Sequence, residues 1–130
     1  MAQLNFHNDI PLPPQQNRDN FPILTCLKDG YLIWHGYLTR LPRATRYTLG
    51  TKIDNLFTDI IANTLNGKYS KPEQKLVILK QASAQLDTLK YFTTMLWELK
   101  ALDNKKYAAL ANKLSLVGQM IGGLLRDMQK

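Results

Sequence analysis

Four stretches of this chain place apolar side chains at alternating steps of three and four, and that spacing points to an all-α fold. The cleanest runs through Tyr107, Leu110, Leu114, Val117, Ile121, Leu124 and Met128, which fall on one line of a helix. Leu24, Leu27, Tyr31, Trp34, Leu38 and Leu41 make a second such line, and Leu49, Ile53, Leu56 and Ile60, flanked by Phe57 and Ile61, a third. Leu79, Ala82, Leu86, Leu89, Phe92, Leu96 and Leu99 make the fourth, with two successive steps of three around Leu89. Four stripes of this kind, joined by short turns, bury themselves against one another, and the expected architecture is an antiparallel up-down four-helix bundle.

Local chemistry sets the joints. Pro42 suits the first turn of a helix, where its missing N–H has no partner to lose and its fixed φ is already correct, so one helix is expected to end near Arg40 and the next to begin there. Asn66-Gly67 predicts a helix end with a left-handed glycine cap. Ser70-Lys71-Pro72-Glu73 has the form of a capping box, and Asp103 is placed to cap the fourth helix. Gly118 and Gly122 stand one turn apart inside that helix, where each glycine costs about 1 kcal/mol against alanine; close contact between helices of one chain and a subunit interface both account for them.

The expected organisation is a Pro/Asn/Gln-rich flexible arm over residues 1–21 and the bundle over residues 22–130. A chain of 130 residues holds one core of this kind. No apolar run approaches the roughly 18 residues needed to cross a bilayer, and the start lacks a charged segment followed by an apolar one. The expected setting is therefore the cytoplasm, without a membrane. The single cysteine, Cys26, lies among apolar residues on the first helix and reads as a small buried thiol.

Charge is the strongest functional signal. Seventeen Lys and Arg against ten Asp and Glu give a net +7. Residues 1–20 hold only Asp9, Arg18 and Asp19, so the remainder carries sixteen basic against eight acidic side chains, or +8. Such an excess keeps a small domain soluble and also attracts phosphate backbones and acidic protein surfaces.

Catalytic and metal chemistry find little support in the sequence. Glu73 and Glu98 are the only glutamates, and neither is followed three residues later by histidine, as a di-iron bundle requires. His7 and His35 make no zinc spacing with Cys26. No phosphate-binding loop, nucleophile elbow or dinucleotide fingerprint is present. Asp54 and Asp59 are five apart on a helix, too far round to form a carboxylate pair, and read as solvated. The chain is expected to be no enzyme, with no cofactor and no metal.

Three segments carry a family resemblance: Leu41-Pro42-Arg43-Ala44-Thr45-Arg46-Tyr47-Thr48-Leu49-Gly50, Ala84-Gln85-Leu86-Asp87-Thr88-Leu89-Lys90-Tyr91, and Val117-Gly118-Gln119-Met120-Ile121-Gly122-Gly123-Leu124-Leu125. With them the chain resembles, over about residues 23 to 128, a bacterial four-helix-bundle family. That family includes the accessory variability determinant of diversity-generating retroelements and the proteins encoded in 23S ribosomal RNA intervening sequences. The proline-arginine joint and the glycine-rich ending together carry the likeness; bundle periodicity alone does not.

The resemblance implies a homopentameric barrel that binds RNA or DNA and the element's reverse transcriptase, supporting mutagenic copying of a template RNA without itself polymerising. In the accessory proteins the third helix carries basic residues associated with partner binding. Lys90 matches one such position, while Thr94 stands one turn on, where a second basic residue can occur. The candidate binding residues are Lys90 first, then Lys75 and Lys80 on the same helix, then Arg43 and Arg46 at the joint, where arginines also commonly bond backbone carbonyls. The alternative is a scaffold of the intervening-sequence type, with no reverse-transcriptase partner and with its charge serving solubility.

Overall fold

A computed structural model describes residues 21–130; apart from Phe21, the expected N-terminal arm lies outside the described residues. The described chain is helical throughout and contains no strand. Helix α1 spans Pro22–Leu38. Helix α2 opens with the turn Arg43–Thr45, widens into a π segment Arg46–Gly50 and continues as Thr51–Tyr69. Helices α3 and α4 span Pro72–Glu98 and Asn104–Met128.

The helices close a ring in which α1 and α3 each pack against both α2 and α4. Each side of that ring has its own polar tie. Trp34 Nε1 donates to Asp54 Oδ1 at 3.1 Å between α1 and α2, and Asn63 Nδ2 to Gln85 Oε1 at 2.8 Å between α2 and α3. The hydroxyls of Thr94 and Tyr107 meet at 3.0 Å between α3 and α4, and Cys26 Sγ lies 3.9 Å from the Lys113 carbonyl between α1 and α4. Cys26 is buried, as its setting predicted, and burial pushes its thiol pKa up, with Lys113 opposing the shift.

Inside the ring the seams keep strict three-four alternation, through residues that hydropathy alone passes over. On α1 the buried line is Ile23, Leu27, Gly30 and Trp34; Leu24, Tyr31 and Leu38 are only half-buried. On α2 it is Ile53, Phe57, Ile60, Thr64 and Gly67, so Phe57 occupies the core and Leu56 flanks it. On α3, Thr93 is buried between Leu89 and Leu96, Phe92 flanks, and Leu99 is exposed beyond the helix end. Thr93 is admissible there because its hydroxyl donates to the Leu89 carbonyl at 2.8 Å. Leu110, Leu114, Val117 and Ile121 fill the expected line of α4.

Two expected caps are replaced. Gly67 is helical, with no glycine of the described chain at positive φ, and α2 runs on to Tyr69. Its absent side chain serves close approach instead: a Cβ there would lie 3.2 Å from Leu79 Cδ2. The capping box does not form, because the Ser70 hydroxyl donates backwards to the Asn66 carbonyl at 2.7 Å and caps the end of α2. Pro72 then starts α3 through its fixed φ and holds Lys71 extended at ψ 155°. The Asp103 cap is as expected, its carboxylate accepting from the Lys106 amide at 2.8 Å.

Helix α3 ends with Lys100 at φ 64°, a left-handed residue. The Lys100 and Ala101 amides bond back to the Trp97 and Leu96 carbonyls, both at 2.9 Å, closing a Schellman turn. Left-handed backbone costs an L-residue about 1–2 kcal/mol, so Lys100→Gly is expected to raise stability by about 1 kcal/mol. A thermal melt checks this, and an unchanged midpoint would mean the turn carries no such strain.

Among the described helices, α4 is long and apolar enough by length and composition to cross a membrane. Its apolar line is committed to the bundle interior, and Lys105, Lys106, Lys113 and Arg126 stand along its length.

Candidate nucleic-acid interface

The five basic residues singled out from the sequence do not form one patch. Lys75, Lys80 and Lys90 are spread over fifteen residues of α3, about 22 Å at helical rise. Lys75 sits in the first turn, with Nζ 5.7 Å from the centre of the Phe21 ring, and Lys80 is exposed. Lys90 lies in the groove between α3 and α4. Arg43 and Arg46 belong to the joint of α1 and α2, the opposite side of the ring from that groove.

Lys90 has the more elaborate surroundings. It lines a cavity of about 160 Å³ together with Thr93, Thr94, Tyr107, Ala111, Leu114 and Ser115. Its Nζ lies over Gly118, 2.9 Å from the point a Cβ would occupy. Gly118 therefore makes room for a cation, and Gly122 and Gly123 likewise lie under the Arg126 guanidinium. At Gly118 this is the helix-to-helix contact the sequence suggested, with Lys90 and Leu86 of α3 against it, whereas Gly122 meets only a side chain of its own helix. Thr94, where the family can carry a second basic residue, is engaged: its hydroxyl bonds the Lys90 carbonyl at 3.1 Å and the Tyr107 hydroxyl at 3.0 Å. The Lys90 ammonium can hold an anionic oxygen by charge, while the Thr93 and Thr94 hydroxyls give their protons to the Leu89 and Lys90 carbonyls.

At the other site the arginines differ in role. Arg46 Nη2 donates to the Leu41 carbonyl at 2.9 Å, while its Nε is buried without a partner; Arg43 is exposed. Both guanidiniums lie over the Tyr47 ring, 5.9 and 6.0 Å from its centre. The π segment holds this arrangement. Gly50 lets the backbone come close, since a Cβ there would meet the Thr45 carbonyl at 3.2 Å, and Thr48 and Thr51 donate to the Ala44 and Arg46 carbonyls at 2.8 and 3.2 Å. Such π turns interrupt α-helices frequently at functional sites.

Asp54 is not the solvated carboxylate its spacing suggested. It is half-buried and accepts from Trp34 Nε1. Burial first, then the nearby Asp54 carboxylate, pushes the Tyr31 pKa up. Tyr47 was passed over in the sequence; an aromatic directly after Arg46 and one turn on from Arg43 was the available signal for it. His35 is exposed, tilted against Tyr31 with ring centres 6.0 Å apart. Among the described residues no three His, Cys, Asp or Glu side chains gather as a metal site. No protein-family model matches the chain, and no curated protein matches it, so its functional reading rests on the residues themselves.

Proposed function

We propose that the chain is a non-catalytic, basic accessory subunit that binds nucleic acid through phosphate contacts, of the kind that serves a diversity-generating retroelement. In this reading the helices run antiparallel, up and down. Copies assemble as a homopentameric barrel in the cytoplasm, and the partners are a reverse transcriptase and its template RNA or cDNA. The observation that carries it is Lys90, a cation with no ionic partner among the described residues, seated over Gly118 at a cavity rich in hydroxyls. The +7 net charge adds long-range attraction without sequence reading. Repetition around a ring would turn modest single contacts into firm binding by raising effective concentration.

A salt titration of binding to a structured RNA and a matched DNA, with particle mass defined by light scattering, tests the reading. The expected slope of log affinity against log salt is about −3, the value for roughly four phosphates on a single strand. Lys90→Glu is expected to weaken binding and flatten that slope by about 1. No binding at low salt would refute the proposal. A protein-only scaffold of the intervening-sequence type would then stand. The exposed apolar side chains Leu32, Val77, Leu99 and Leu116 favour that second reading, because they suit protein contacts better than phosphate.

A further inference from the structure

The joint of α1 and α2 holds a pocket of about 310 Å³ lined by Leu38, Thr39, Arg46, Tyr47, Thr51 and Asp54. That is the low end of the range for small-ligand sites, about 300–1,000 Å³. Its chemistry is mixed in a specific way: its lining brings together an aromatic ring, one guanidinium and one carboxylate. We infer that this pocket receives a single unpaired guanine of a bound nucleic-acid strand, an inference that rests on the nucleic-acid reading above.

Tyr47 is 64% exposed although the guanidiniums of Arg43 and Arg46 lie over its ring near 6 Å from the centre. A flat partner stacking on the ring would displace one of them, which then stands beside the stack for the flanking phosphates. Stacking of this sort accepts any base, because every base has a π face. Asp54 supplies the selection. An ionised carboxylate only accepts, and it has about four acceptor positions. Trp34 Nε1 uses one of them at 3.1 Å and fixes the group in place. What remains suits two adjacent donors. Guanine, through N1–H and its exocyclic amine, presents such a pair on its pairing edge; adenine and cytosine present a donor beside an acceptor, and uracil one donor between two acceptors. Arg43 and Arg46 offset the repulsion between Asp54 and phosphate.

The test uses the full chain and fluorescein-labelled single-stranded RNA decamers read by anisotropy: all uridine, uridine with one central guanosine, and uridine with one central inosine. Inosine keeps N1–H and lacks the amine. Guanosine is expected to bind about tenfold tighter than uridine, with inosine between them. Tyr47→Ala is expected to weaken the guanosine strand about tenfold, and Tyr47→Phe to restore it. Asp54→Asn, which can still accept from Trp34, is expected to remove the guanosine preference while leaving the salt slope unchanged. Because Tyr47 is exposed, its variants keep the test informative should Asp54→Asn disturb folding. Equal affinity for all three strands, unaltered by Tyr47→Ala, would overturn the guanine pocket and leave phosphate binding intact. No binding of any strand at low salt would overturn the nucleic-acid reading, and the pocket with it.

Discussion

Trp34→Ala is expected to lower stability by about 3–5 kcal/mol, a large fraction of the roughly 5–15 kcal/mol that holds a domain of this size together. Three losses coincide in that substitution. The indole is fully buried, so its removal takes away apolar area and leaves a void in the core. Its ring also runs nearly parallel to Phe57, 19° between planes at 6.5 Å between centres, and that contact disappears. Finally, Asp54 Oδ1 loses its 3.1 Å donor. Trp34→Phe separates these terms, keeping most of the ring while removing the N–H, and should cost clearly less. Urea denaturation followed by far-UV circular dichroism checks both variants. A loss below about 1 kcal/mol for Trp34→Ala would mean that the core closes over the void.

Gly67→Ala is expected to destabilise by about 1–3 kcal/mol, although alanine is the better helix residue by about 1 kcal/mol. The new Cβ would sit 3.2 Å from Leu79 Cδ2, 3.4 Å from Leu79 Cγ and 3.6 Å from Ile78 Cγ2. Leu79 is fully buried and has little freedom to yield, so α2 and α3 must move apart. Thr64, one turn earlier on the same seam, is buried with an unpaired hydroxyl and already weakens this contact. Gly36→Ala is the control: nothing lies within 4 Å of a Cβ at that exposed position of α1, so the substitution should stabilise the chain through propensity alone. Equal gains in melting temperature for the two variants would show that the α2–α3 contact tolerates a methyl group.

The four helices and the Asp103 cap were legible because they depend on period and on one side chain bonding its own neighbourhood. The seam was less so. Choosing core positions by apolarity selected Tyr31, Leu56 and Phe92, whereas the alternation continued through Gly30, Phe57 and Thr93. A buried threonine is acceptable only once its hydroxyl has a carbonyl to bond, and a buried glycine only where another chain segment fills its space; both depend on tertiary contacts. Ser70 illustrates local ambiguity, since one hydroxyl had a helix end behind it and a helix start ahead, and bonded the former. In the candidate site, residue types were readable and positions were not. Lys90 and the two arginines are on opposite sides of the ring because the order of helices around a core is not written in any single helix. Asp54 looked solvated because its donor, Trp34, comes from α1.

Lys90 resting over Gly118 makes the elevation of a charge a property separate from its presence. Proteins usually tune a binding surface by adding or deleting ionic groups, which alters solubility and long-range attraction at the same time. Here a single methyl group on the neighbouring helix, Gly118→Ala, would lift the ammonium off its seat while leaving the net charge at +7. The far end of a lysine yields readily, so the shift would be small in cost. A position without a side chain thus controls how far a side chain twenty-eight residues away projects from the surface.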